Sequence, residues 1–370
     1  MNKTKSSNPV RLIAFFLTAF LLISTFGFTA DGWQIGDTSN NSDKPDSSLE
    51  NSSGNNKDDN LNEEDSTNAE IYIPAYINRL TGLEITEEEA NKAHLALVLN
   101  GNSAHYGISG ADLICEIPTE SCSRLIAFIP EYRELWKCGS IAPTRGYISN
   151  IAKYFGGICI SYGNDDSIEY NKCNISGMHL DVSSDKKYHY TEFSNNVYTN
   201  SDLLFSGIND IEVNLDFLSA KPPYNFVDFG KDPVAYEENL VDHIIINDST
   251  SFSSELFYNK ENNGYTLSKN GMAITDAING KQPNFTNCFI LFADSVTYDN
   301  ANCSQMVMDT IGTGVGYYFT NGGMCEIKWS GSEDGNILFT LTDGTSLVVN
   351  RGRSYITFLK SSMKESIRFE

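Results

Sequence analysis

Four charged residues in the first half of this 370-residue chain have the types and spacing of an anion or metal site. Asp112 and Glu116 alternate with apolar neighbours in "ADLICE", a pattern that projects both carboxylates from one face of a strand. Arg124 opens the next apolar run. Arg145 sits in "GSIAPTRGYISNIAKYFG", where Tyr147, Ile148, Ile151, Tyr154 and Phe155 fall on one helical face. Backbone N–H groups at a helix start and guanidinium forks suit a phosphate or pyrophosphate, with Asp112 or Glu116 holding Mg²⁺. Structural ion pairs between strands and helix would use the same four residues. Pro143 and Thr144 supply a stop and an N-cap, which places Arg145 in the first helical turn. A cation there is unfavourable by roughly 0.3–1 kcal/mol, so the position needs a reason.

The remaining constellations are weighed against simpler readings. "GNDDSIEY" sets Asp165, Asp166 and Glu169 at helical spacing, a geometry for a divalent cation or for glycoside hydrolysis. It is also the acidic first turn that a helix dipole favours. "GTGVGYYF" has the glycines of a phosphate loop but leads into a strand and hairpin, so they read as turn or bulge residues. His94, His105, His179, His189 and His243 are scattered, and no G-x-S-x-G frames a serine. Cys122 forms a Cys/His pair with His105 or His94 only if folding unites them. The eight cysteines lack any C-x-x-C; those in "ADLICEI", "GGICISY" and "TNCFILF" read as small buried hydrophobes, and the spacing disfavours zinc.

The elements that must position these groups follow a clear order. "MNKTKSSNPVR" and the apolar "LIAFFLTAFLLISTFGF" predict an export signal or membrane anchor over residues 1–30. Residues 31–70 hold eleven acids and two lysines with almost nothing apolar, the composition of a disordered acidic tether. Removing the tether's −9 and the leader's +3 from the total of −22 leaves −16 for the rest. That charge argues against nucleic acid and against a polybasic membrane-surface patch. Thr86 and Glu89 make a capping box for a short helix, and "HLALVLN", "ADLICEIP", "SRLIAFIP" and "GICISYG" read as strands. The expected class is α+β: a mixed α/β domain over about 71–235, then a mostly antiparallel β domain over 240–370 with hairpins at "FTNGGMCEIKW" and "FTLTDGTSLVV".

At "NRLTGLEITEEEANKAHLALVLN", "SGADLICE", "SRLIAF" and "GSIAPTRGYISNIAKYFGGICISYG" the chain resembles the YerB-like family. These are two-domain bacterial envelope lipoproteins whose biochemical function is not settled. The likeness continues through "NNVYTNSDLL", "KPPYNF", "NCFILF", "DTIGTGVGYYFTNGGMCEIKW" and "DGTSLVVNRGRSYITFL". It implies a ligand site that includes the Asn195–Asn196 turn. This chain departs from the family pattern: no cysteine precedes Cys115 for lipid attachment, Ala142 stands for the first of two arginines, and Ser161 and Asn195 stand for histidines. The order of strands and arginine is also similar to the LytR–CpsA–Psr envelope transferases, which use several arginines where only Arg124 and Arg145 are evident here.

The expected function is an exported, membrane-tethered binding protein at the outer face of the cytoplasmic membrane, or secreted. It would bind an envelope glycan, a phosphorylated lipid carrier or a wall-assembly protein without a cofactor. The alternatives are an enzyme acting with Mg²⁺ on a phospho-linked envelope glycan, and a purely structural partner. Exposed aromatic residues would favour binding, and residue counts alone do not show exposure.

Overall fold

A computed structural model describes residues 71–72, 74–120, 122–130, 134–163, 177–213, 226–237, 239–249, 252–299 and 304–370. The leader, the tether and the acids Asp165, Asp166 and Glu169 lie outside the described residues.

The first half begins with α1 (Glu87–Ala90), whose predicted capping box forms: Thr86 accepts from Glu89 N–H, and Glu89 accepts from Thr86 N–H. It is followed by β1 (His94–Asn100), β2 (Leu113–Pro118), β3 (Ser123–Ile129), β4 (Cys138–Ile141), α2 (Gly146–Tyr154) and β5 (Gly157–Ser161). Then come β6 (His179–Asp181), β7 (Tyr190–Thr191), β8 (Val197–Thr199) and α3 (Ser201–Asp210). The second half holds β9 (Asp228–Phe229), β10 (His243–Ser249), β11 (Phe252–Asn259), β12 (Gly264–Lys269), β13 (Met272–Ala273), β14 (Asn284–Phe285) and β15 (Asn287–Ala293). It continues with β16 (Ser295–Asp299), β17 (Ser304–Met308), β18 (Gly312–Thr320), β19 (Gly323–Gly331), β20 (Ile337–Leu341), β21 (Val348–Val349), β22 (Ser354–Lys360) and β23 (Arg368–Phe369).

The chain is mostly β, with three short α-helices among the described residues, so the α+β expectation overstates the helical share. One sheet runs through both halves in the order β20-β19-β18-β15-β22-β2-β3-β1-β4-β8-β7, and β5 and β6 branch from β1. The seam is a parallel pairing of β22 with β2, from Leu113↔Ser354 to Glu116↔Thr357. A second sheet, β13-β12-β11-β10-β23 with β14 on β12, belongs to the second half.

Two cores lie on the two sides of the long sheet. Leu95, Leu97 and Leu99 of β1 enter one, while Ala96 and Val98 enter the other. Strands covered on both faces read as unbroken apolar runs, as "HLALVLN" and "NCFILFA" do. Cys115, Cys138, Cys159 and Cys288 are buried within this packing.

The β18–β19 hairpin turns at Asn321 and Gly322, both with positive φ. The "GTGVGYYF" glycines lie inside β18. A Cβ on Gly314 would meet Phe292 O at 2.4 Å, so close backbone approach, not phosphate, requires this glycine.

Candidate functional site

The four charged residues do not converge. Glu116 is fully buried, and its carboxylate is saturated from two sides. Oε1 pairs with Lys269 of β12 and accepts from Ser123 Oγ at 2.7 Å. Oε2 accepts from Ser254 Oγ at 2.9 Å and from Tyr355 OH. Four donors fill the acceptor sites a carboxylate offers, which leaves no position for a cation. Burial pushes this carboxyl up; the Lys269 charge and the Lys269, Tyr355 and Ser123 hydrogen bonds outweigh that and hold it below its ordinary value.

Asp112 stands four residues earlier on the same extended segment, about 13 Å along it at the usual rise, too far to share one Mg²⁺ with Glu116. Its Oδ2 accepts from Asn78 Nδ2 at 2.7 Å and lies 3.0 Å from His94 Nε2. The Mg²⁺ pair expected from the spacing is therefore two separate structural anchors.

Arg124 faces away from Glu116, since it is the register partner of Ile117 while Glu116 opposes Leu125. Its Nη1 donates to Cys122 Sγ at 2.7 Å, and its buried Nε has no hydrogen-bond partner among the described residues. Cys122 thus meets an arginine; Asp112 and Asn100 O take His94 and His105 instead.

The structure moves Arg145 by one position. It is the N-cap residue of α2, in extended conformation, and its side chain caps nothing. The guanidinium instead donates to Glu120 (Nε–Oε1 3.5 Å, Nη2–Oε2 3.4 Å) and to Thr144 O at 3.1 Å. Glu120 Oε1 also accepts from Met306 N–H at 3.1 Å. The positive charge at the start of α2 therefore has its reason: it holds a carboxylate that grips the β16–β17 hairpin.

On the other flank of α2, Thr144 N–H donates to Gly163 O at 3.1 Å. This brings the helix start beside the C-terminal ends of the parallel strands β5 and β6, where open parallel sheets place ligands. Ser161 Oγ lies 2.8 Å from His179 Nε2, and Asp181 Oδ1 accepts from Gly163 N–H at 2.8 Å. Burial pushes the His179 imidazole down and Asp181 raises it, with a net lowering. Ser161 already donates its one proton to Gly163 O at 2.9 Å, so the histidine meets a lone pair and takes no proton. The scattered histidine list hid this contact, because it unites a strand end with a residue eighteen positions later.

Asn195 and Asn196 stand in the tight β7–β8 turn, with Ser194 and Asn195 both at positive φ. Asn196 O accepts from Glu192 N–H at 3.0 Å, and its Oδ1 accepts from Ser140 Oγ at 3.2 Å. Glu192 in turn accepts from Lys137 at 2.7 Å, whose ammonium lies 4.0 Å from the ring centres of Tyr106 and Tyr198.

An open groove of about 210 Å³ lies where α2 meets the hairpin. Gly146, Tyr147 and Asn150 form one wall, Val296, Tyr298 and Val307 the other, and Asp309 and Thr310 close one end. Val296 and Tyr298 are each 55% exposed, large apolar surfaces that folding leaves uncovered. Sequence reading missed the hairpin: "SVTYD" and "SQMVM" are short runs without a tight-turn signal between them.

The N-terminal domain of a protein family of unknown function, DUF3048, matches residues 80–213, and the family's C-terminal domain matches residues 244–356. The crystal structure of the YerB protein from Bacillus subtilis aligns with a TM-score of 0.65 at 20% identity, over 80% of this chain and 99% of that one, a likeness of fold. No curated protein matches the chain.

Proposed function

The chain belongs to the YerB-like family, built from the two DUF3048 domains, and we propose that it is an extracytoplasmic, membrane-tethered binding protein. Residues 1–30 hold it at the outer face of the cytoplasmic membrane, and the acidic tether gives it reach. Its contact surface is the groove between α2 and the hairpin, and its ligand is an envelope glycan, a phosphorylated lipid carrier or a wall-assembly protein. It binds without catalysis and without a cofactor.

One observation carries this reading: Val296 and Tyr298, both more than half exposed, stand together on one wall of the groove, while Glu116, Asp112 and Arg145 are committed to partners within the fold. An aromatic ring with a polar end suits a partly wet contact, and Tyr298 supplies one. The second reading, an Mg²⁺-dependent enzyme on a phospho-linked glycan, needs Arg145 and Arg124 to clamp phosphate and Asp112 or Glu116 to hold the metal, and these groups engage Glu120, Cys122, Asn78 and Lys269 instead.

The test retains ligands on the full chain from three classes: soluble peptidoglycan fragments, a short polyprenyl pyrophosphate, and detergent-solubilised membrane protein. At least one class should bind saturably, leave unaltered in mass, and be lost with Tyr298→Ala. Chemical conversion of a ligand, or equal retention by Tyr298→Ala, contradicts the reading.

A further inference from the structure

We propose that β16 is a docking edge for an extended basic segment of a partner protein, which adds to the hairpin as a third strand. This rests on the binding reading above and names its partner class. The hairpin is held rigidly on one face and along one edge. Met306 and Met308 are buried, Met306 N–H donates to Glu120, and Tyr154 OH donates to Thr310 O at 2.7 Å beyond the end of β17.

The direction of that Met306 bond fixes the free edge. In an antiparallel pair, opposed residues alternate between those that bond each other and those whose N–H and C=O turn away. Met306 N–H turns away to Glu120, so its register partner Thr297 also turns its N–H and C=O away from β17. Two residues along in each direction, Ser295 and Asp299 follow the same alternation. Thr297 is exposed, and among the described residues β16 and β17 form a sheet of two strands with no neighbour beyond β16.

Natural sheet edges are blunted by charged side chains, above all lysine, by proline or by a bulge. Within β16 the sequence has one charged residue, at its end, and neither lysine nor proline nor a bulge. "SVTYD" carries β-favouring Val, Thr and Tyr, and its register with β17 runs unbroken over five pairs. An added strand would gain main-chain hydrogen bonds from this edge and side-chain contacts from Val296, Val307 and Tyr298 on the open face. A preformed edge lowers the ordering cost of binding.

Charge selects the occupant. Asp294 immediately precedes β16, Asp309 closes the groove, both are exposed, and the whole chain carries −22. A second copy would bring the same acids to the edge, whereas a strand bearing Lys or Arg complements them.

The probe is a phage-displayed random heptapeptide library selected on the full chain. Enriched peptides should alternate β-branched residues with Lys or Arg, and bind Thr297→Pro at least tenfold more weakly, since proline removes the edge donor. Thr297→Ala, which keeps that donor, should bind like the parent. Should Thr297→Pro unfold at a lower temperature, N-methylation of alternate amides in the enriched peptide replaces it and should abolish binding.

No enrichment, equal binding to Thr297→Pro when it is fully folded, or insensitivity to peptide N-methylation overturns the proposal. So does sedimentation showing self-association of the chain that Thr297→Pro abolishes. Retention of glycan or lipid with no peptide enrichment overturns strand addition and leaves the binding reading standing. Loss of every ligand class overturns both.

Discussion

Glu116 and Lys269 illustrate how a residue suited to chemistry becomes a residue of structure. Each is buried, and each satisfies the other across the two halves of the chain. Removing one partner leaves an uncompensated buried charge, so Glu116→Ala should cost about 3–5 kcal/mol in urea unfolding at neutral pH. Replacing both, as Glu116→Leu with Lys269→Met, should recover most of that loss, because apolar side chains strand no charge. The pH dependence has a definite sign. The folded carboxyl lies below its ordinary value of 4.5, so its stabilisation is present above that value and is lost as pH falls through the lower folded value. Urea midpoints should therefore fall below about pH 4 in the parent and change less steeply there in the double variant. Nothing in the spacing of "ADLICE" distinguished this outcome from Mg²⁺ binding, since Lys269 lies 153 residues away in sequence.

The elements were far more legible than the contacts between them. The capping box at Thr86 and Glu89, the strand "HLALVLN" and the Asn321–Gly322 hairpin could all be read locally, because propensity, cap chemistry and turn geometry act within a few residues. The N-cap of α2 slipped from Thr144 to Arg145, because the Glu120 carboxylate two strands earlier pulls the guanidinium out of the helix. The glycines of "GTGVGYYF" belong at this scale. Gly314 packs its bare Cα against Phe292 O, where Trp329 Nε1 also donates at 3.0 Å. Gly314→Ala should force that contact apart and cost roughly 1–3 kcal/mol, measured by thermal unfolding, with Trp329 fluorescence shifted in the folded state. A phosphate-loop role would instead leave stability unchanged.

At the scale of the whole molecule, the family's two domains match separate stretches of sequence, yet β22 of the second pairs with β2 of the first inside one sheet. Parallel pairing across more than two hundred residues leaves no local trace in the sequence, so the two successive domains can be read there while the strand pairing that joins them cannot. The seam and the Glu116–Lys269 pair couple the halves, so backbone circular dichroism and tyrosine fluorescence should report one coincident urea transition from the described body. Two separated transitions would show that the halves fold independently. The same shared sheet sets α2 and the β16–β17 hairpin against each other, and with them the groove. The most direct measurement is amide hydrogen exchange of the full chain with and without isolated cell-envelope material. Slowed exchange confined to residues 146–150, 295–299 and 304–308 is the expected result. Unchanged exchange there, with protection appearing elsewhere on the surface, would contradict the account.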